Sequence, residues 1–379
     1  MTNAFTGFLS EHSLAISFSI VRLLFPRQHH GLLFPFLVIY QQLGKSGLLV
    51  SRTCLGTMNF GNDAWGCEAG KSRKLTNAYI EAGGNFIDTA DLYANTVSES
   101  ILGDILQDHD RDALVVATNC WFPQAEHPNA RGLSRRHIIA ACDDSLRRLK
   151  TDYIDLYQFH GPDAYTPIDE SLAAMADFIA SGKVRYASLS NCHGWQVVQA
   201  NEASKRAGMT GLISGQYLYN LLRRDIERDI LPACQSEGLG VICWSPLASG
   251  FLSGKYRGLD KPPERSRFDQ MGKVLLSRFW NEQTVALVER MAAMAEELDE
   301  SIVAVALAWC LAQPGVTSVI AGASKLSHLE PQIRAAELTL PEAMLTELNA
   351  AIPCDKGYPH DWFQVAGKGT SPAEYIRRA

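Results

Sequence analysis

The chain of 379 residues is 46% hydrophobic and 20% charged, ordinary for a globular protein, with a formal net charge of −6 and a sequence pI near 5.9. That acidic balance excludes a general nucleic-acid surface, so an anionic ligand has to find a local cluster of Lys and Arg. The nine cysteines, Cys54, Cys67, Cys120, Cys142, Cys192, Cys234, Cys243, Cys310 and Cys354, form no CxxC pair and are odd in number. Reduced thiols used as small core residues, in a cytoplasmic protein, are the expectation.

Residues 1–41 are read as an extension outside the fold. The apolar stretch from Leu14 to Tyr40 is broken by Arg22, Pro26, Arg27, Gln28, His29 and His30. A membrane-spanning helix needs roughly 20 uninterrupted apolar residues, so no membrane contact is expected. A signal peptide's positive start and small-residue cleavage site are not clear here either. His29 and His30 have no partners at metal-ligand spacing and are read as solvated.

From Leu43 onward, short runs rich in Val, Ile and Leu alternate with longer amphipathic stretches. Strands are predicted over 52–57, 85–90, 114–119, 153–160, 186–191, 211–216, 240–245 and 317–322. Helices are predicted over 134–150, with Ser134 as N-cap, over 168–182, stopped by Gly182, and over 225–238, stopped by Gly238. Strands alternating with helices imply a parallel sheet. Eight such units without a linker imply a closed α/β barrel, the (β/α)8 TIM barrel, as a single domain over 42–352. The alternative, a doubly wound sheet, usually carries G-x-G-x-x-G after its first strand, and none follows RTCLGT. Residues 353–379 form a tail that offers a wall to a pocket. Two long loops, 120–133 and 248–281, break the rhythm, and such loops usually serve function.

In this barrel the active site lies at the C-terminal ends of the strands. Those ends carry Thr57 and Met58, Asp88 followed by Tyr93, Asn119, His160, Ser190 and Asn191, Gln216, Trp244 and Ser245, and Gly322 to Ser324. No HExxH, no Cys/His metal-ligand set and no G-x-S-x-G turn is present. GFLSGKY, 250–256, is one residue short of a phosphate-binding P-loop and lacks its Ser or Thr. A phenol, an imidazole and a carboxylate around one mouth suit proton transfer to a carbonyl oxygen, with a hydride supplied by a bound cofactor.

IDTADLY (87–93), ESILGDIL (99–106), GLSRRHI (132–138), SLRRLKTDYIDLYQFH (145–160), GKVRYASLSN (182–191), QYLYNLLRRDIE (216–227), WSPLASGFLSGKY (244–256) and IAGAS (320–324) together resemble the aldo-keto reductases. The resemblance covers about Gln42 to Ala351 and is closest to the bacterial branch related to voltage-gated potassium channel β subunits. It implies Tyr93 as general acid, Asp88 behind it, and His160 orienting a small-molecule carbonyl or alcohol substrate. Trp121 has the best claim to the substrate pocket, since it follows Asn119 directly into the mouth.

The resemblance also implies a cofactor, NADPH rather than NADH. Ser190, Asn191 and Gln216 match the groups that bind the nicotinamide carboxamide, and Trp244 the aromatic that stacks on the ring. Ser245, Leu247 and Ser249 match the start of the loop around the pyrophosphate, with Lys255 and Arg267 in the loop that closes over it. Gly322, Ser324, Lys325, His328 and Gln332 match the adenosine phosphate region, and Thr57, Met58 and Asp88 complete the expected contacts. Lys325 and His328 supply the local positive charge that a 2′-phosphate needs.

One position departs from the pattern. The strand LVVATN normally ends in Lys in the family, where the cation pairs with the Asp and lowers the phenol's pKa. Asn119 carries no charge, although it can still donate a hydrogen bond. Three outcomes follow: carbonyl reduction with a lower rate or altered pH optimum; a site retuned for sugar-alcohol oxidation or nucleotide-sugar enone reduction; or a catalytically weak NADPH-binding partner subunit.

Overall fold

The computed structural model describes residues 38–62, 66–259 and 279–362. Eight parallel strands close into a barrel. They are β3 (Thr53–Gly56), β4 (Phe86–Asp88), β5 (Val115–Cys120), β6 (Ile154–Phe159), β7 (Val184–Ser190), β8 (Ser214–Leu218), β9 (Gly240–Trp244) and β10 (Val316–Ala321). Closure is made by β10 on β3, with Val319 opposite Thr53 and Ala321 opposite Leu55. The (β/α)8 barrel expected from the sequence is therefore present, and the described residues all fall in one unit, Leu33–Ala379.

Helices connect the strands on the outside: α1 (Ala69–Glu81), α2 (Val97–Leu106), α3 (Arg135–Leu149), α4 (Ile168–Ala180), α5 (Gly194–Arg206), α6 (Ile230–Glu237), α7 (Glu282–Glu297) and α8 (Ile302–Leu311). After β10 come α9 (Leu329–Glu337) and α10 (Glu342–Ala351). The Ser134 side chain accepts from the His137 amide at the start of α3, as its cap position requires. Gly238 ends α6 at φ 78°, the left-handed conformation that costs glycine least. Among the described residues no helix is long and apolar enough to cross a membrane.

Two elements differ from expectation. The strand predicted over 211–216 begins at Ser214. Gly211 has φ +115°, and the Leu212 amide donates to Asn201 Oδ1 on α5, so these residues bond away from the sheet. The helix predicted over 225–238 splits into a single turn, Asp225–Glu227, and α6. The break falls at Asp229, at φ −139°, whose carboxylate accepts from the Gly194 amide.

Ahead of the barrel, β1 (Tyr40–Gln42) and β2 (Leu49–Ser51) form an antiparallel hairpin, so the ordered fold starts at least two residues before the expected boundary at Gln42. The hairpin turn lies against the starts of β8 and β9: Lys45 donates to the Gly238 carbonyl, and a Cβ on Gly44 would sit 2.3 Å from the Ile213 carbonyl oxygen. Leu43 and Val50 join the barrel's interior cluster with Cys54, Phe86, Val115, Ala117, Leu156, Ile213 and Ile242. The floor of the barrel is thereby filled with apolar side chains.

Strand side chains alternate between the barrel interior and the helix layer. Phe86 is inside, and so is Asp88 two residues on. The same step leads from Val115 and Ala117 to Asn119, and from Leu156 to Gln158 and His160. This parity delivers a ring of polar groups to the mouth, directly above the apolar floor.

Candidate active site at the barrel mouth

Asp88 is the centre of the polar ring and is 2% exposed. Its Oδ2 accepts from Gln216 Nε2 at 2.8 Å, from Gln158 Nε2 at 2.9 Å and, more weakly, from Asn119 Nδ2 at 3.5 Å. All three donors are neutral carboxamides. Burial dominates the carboxyl's behaviour and pushes it up to about 7; the amide bonds pull the other way without cancelling that effect. A buried carboxyl without a cation thus keeps its proton to higher pH than an exposed one.

Asn119 is fully buried. Its Nδ2 is committed to the Thr89 carbonyl at 2.8 Å, and its Oδ1 has no hydrogen-bond partner among the described residues. Gln158, absent from the sequence-derived candidates, stands opposite Asn119 in the β5–β6 register. Its signal in the sequence was a polar residue at the interior parity set by Ile154 and Leu156.

Tyr93 is half-buried on the turn after β4, its ring edge-on to the His160 ring with centroids 6.1 Å apart. Three consecutive non-glycine residues follow it in the left-handed region: Ala94 (φ 48°), Asn95 (φ 51°) and Thr96 (φ 72°). His160 follows β6, and its amide donates to the Cys120 carbonyl. Burial pushes its imidazole down to about 4, so the ring is neutral at physiological pH. Its Nδ1 is buried and has no partner among the described residues. A lone pair left there costs less than an orphaned N–H, which favours the tautomer with its proton on Nε2. Phe122 packs edge-on to His160 at 5.1 Å and to Trp121 at 4.8 Å. One aromatic wall therefore runs from Tyr93 through His160 and Phe122 to Trp121.

The opposite side of the mouth is tied together by side-chain bonds. Asn191 Nδ2 donates to the His160 carbonyl at 2.9 Å, and Trp244 Nε1 donates to Asn191 Oδ1 at 3.1 Å. Ser190 Oγ donates to the Gln216 carbonyl. Thr57 is fully buried, its hydroxyl on the Asp88 carbonyl, whereas Met58 is 36% exposed at the rim. Beyond β9 the chain winds through Ser245 (φ 52°), Ala248 (φ 47°), Ser249 (φ 58°) and Gly250 (φ 92°), with the Ser249 amide on Ser245 Oγ and Leu247 half-buried against the core. A Cβ on Gly250 would lie 2.7 Å from Lys255 Nζ, so lysine and loop are in contact.

At the end of β10, Gln332 Nε2 donates to the Gly322 carbonyl and the Ser324 amide to His328 Nδ1. The His328 imidazole is lowered by burial first, then by the positive charges of Lys325, Lys255 and Lys71. Three lysines, two from loops and Lys71 from the first turn of α1, thus share one field at the rim. That is the local positive charge an anionic dinucleotide requires on a net-acidic chain, and with Trp244 for the ring the donor set fits such a ligand. Arg267 lies outside the described residues. Among the described residues no group of three or more His, Cys, Asp or Glu side chains could hold a metal ion.

A sealed parallel barrel whose strand ends gather a carboxyl, a phenol, a neutral imidazole and a basic rim defines an oxidoreductase of the TIM-barrel class. The aldo/keto reductase family model matches residues 52–353, and the chain belongs to that family. It is 37% identical to the oxidoreductase YrpG of Bacillus subtilis over 325 residues, 83% of this chain and 96% of that protein. It is also 37% identical to a probable voltage-gated potassium channel subunit beta of Oryza sativa subsp. japonica over 304 residues, 79% and 91% of the two chains. Identity to an aryl-alcohol dehydrogenase (NADP+) of Phanerodontia chrysosporium is 32% over 336 residues, 83% and 86% of the two chains.

Proposed function

We propose that the protein is an NADPH-dependent oxidoreductase that reduces an aldehyde or ketone to the alcohol, or runs the reverse reaction. The observation that carries this reading is the edge-on pair of Tyr93 and neutral His160 at a mouth that also holds the buried Asp88. Tyr93 donates its phenolic proton to the carbonyl oxygen, and the Nε2–H of His160 holds that oxygen in place. NADPH, when bound, supplies the hydride to the carbonyl carbon. Trp244 would flank the nicotinamide, with Ser190, Asn191 and Gln216 to bind its carboxamide and Thr57, Met58 and Asp88 beside it. Ser245, Leu247, Ser249 and Lys255, with Arg267 from the same loop in sequence, would hold the pyrophosphate; Gly322, Ser324, Lys325, His328 and Gln332 would hold the adenosine phosphate.

The aromatic wall of Phe122 and Trp121 supports flat, apolar carbonyl compounds as substrates, and the aryl-alcohol dehydrogenase relative points the same way. The nine free thiols, eight of them buried, support a reducing compartment, the cytoplasm. A second reading, a catalytically weak NADPH-binding subunit, draws on the uncharged Asn119 and on the potassium channel subunit relatives. Retuned sugar-alcohol oxidation or nucleotide-sugar enone reduction has no specific observation in its favour.

The test is NADPH oxidation against a panel of aromatic and aliphatic carbonyls across pH, beside direct NADPH titration. Turnover with tight binding carries the first reading. Tight binding without turnover moves the protein to the second, and absence of NADPH binding sinks both.

A further inference from the structure

Gln158 has no part in the roles given above. It is fully buried within β6, where its neighbours in sequence, Tyr157 and Phe159, face the helix layer. Its amide nitrogen is bonded to Asp88, while its Oε1 is buried and meets no donor among the described residues. Burying an amide with half its hydrogen-bonding capacity unmet is costly, so packing alone does not account for it. What the side chain delivers is its N–H.

Asp88 Oδ2 receives donors from three strands at once: Asn119 on β5, Gln158 on β6 and Gln216 on β8. The titratable groups around it are Cys54 on β3, Tyr93 after β4 and His160 after β6. Burial, and secondarily Asp88 itself, pushes the Cys54 thiol well up, and His160 is neutral. The remaining strands present Ser188 and Ser190 on β7, Trp244 on β9 and Ser318 on β10, none charged. No Lys or Arg among the described residues pairs with Asp88.

Resting on the catalytic reading above, we propose that Gln158 is a positioning residue for the reaction. With Gln216 and Asn119 it clamps Asp88 through neutral amides where a cation is lacking, and so governs the pH at which that carboxyl gives up its proton. An N–H aimed at a carboxylate oxygen favours the ionised form, so losing a donor makes ionisation harder. An amide adds no charge of its own. The net charge of the mouth therefore follows Asp88 across the working pH range.

The test is carboxyl NMR of the full chain labelled with 13C-aspartate, titrated between about pH 5 and 9, with the Asp88 signal assigned by its loss in Asp88→Asn. Gln158→Met keeps the side-chain length and removes the donor; Gln158→Leu is the second variant should Met disturb folding. The Asp88 midpoint lies near neutrality in the wild type. It moves up by about one pH unit on losing Gln158, the equivalent of one charge-assisted hydrogen bond. The pH profile of kcat moves with it, while KM stays within about twofold. An Asp88 midpoint in the ordinary carboxylate range, or one unmoved by either variant, overturns the proposal. Because the midpoint is read without turnover, a protein inactive on every carbonyl still decides it, so its failure is distinguishable from failure of the catalytic reading.

Discussion

Asn119 turns its amide away from Asp88: its Nδ2 lies 2.8 Å from the Thr89 carbonyl but 3.5 Å from the carboxylate it faces. The residue therefore braces the end of β4 more than it serves the acid. The shorter bonds to Asp88 come from two glutamines, on β6 and β8, with Asn119 the weakest of the three donors.

Restoring a cation at that position is the sharpest probe of the site. Asn119→Lys places an ammonium beside a buried carboxyl and should return Asp88 to the ordinary carboxylate range or below. A cation also eases deprotonation of Tyr93, so the alkaline limb of the reduction profile should move to lower pH. Rate against pH for the two proteins checks this; superimposable profiles would remove Asn119 from the chemistry.

Tyr93→Phe should lower carbonyl reduction by roughly 10²–10⁴ fold, the range for loss of a general acid, while NADPH affinity stays within a factor of two. Steady-state kinetics and fluorescence titration of NADPH supply the two numbers. Surviving activity would assign the proton to another group.

Asp88 makes stability depend on pH in a defined direction. Its carboxyl is raised to about 7 in the fold and sits near 4 in the unfolded chain, so between those values the folded state holds the extra proton. That contribution is intact below about pH 4 and is lost as pH rises through 7. Asp88→Asn abolishes the loss. Its stability relative to wild type should therefore rise between pH 5 and 8, by at most about 3 kcal/mol. Urea unfolding at both values measures it, and a constant difference would contradict the raised carboxyl.

Thr96 sits at φ 72° at the start of α2 with no side-chain cap bond, an arrangement unfavourable for a β-branched residue. Thr96→Gly should relieve the strain and, after the added freedom of the unfolded chain, stabilise by about 1 kcal/mol. The urea midpoint should rise at unchanged slope.

Lys325→Ala should weaken NADPH binding about tenfold, or 1.4 kcal/mol, and leave NADH binding unchanged. Equal weakening of both would move Lys325 from the 2′-phosphate to the shared part of the cofactor.

The barrel was legible because its strands are short Val, Ile and Leu runs closed by polar residues, and each such run became a strand within a few residues of its predicted place. The β1–β2 hairpin escaped because three-residue strands carry too little periodicity to stand out beside an apolar extension. Asp88, Asn119 and Gln216 were legible as polar strand ends and do meet. Gln158 was hidden because it lies one residue inside its strand; only the parity set by Leu156 assigns it to the interior. The Lys255, Lys325 and Lys71 cluster was half hidden, since Lys71 belongs to α1, far in sequence from the other two.

The apolar floor built by Leu43, Val50, Phe86 and Leu156 has a consequence for exchange with solvent. Asp88 is 2% exposed and sits above that floor, so its readiest contact with water is through the mouth. A molecule seated in that mouth cuts the carboxyl off from bulk water. Exchange of the Asp88 proton with bulk water then slows for as long as the mouth is occupied.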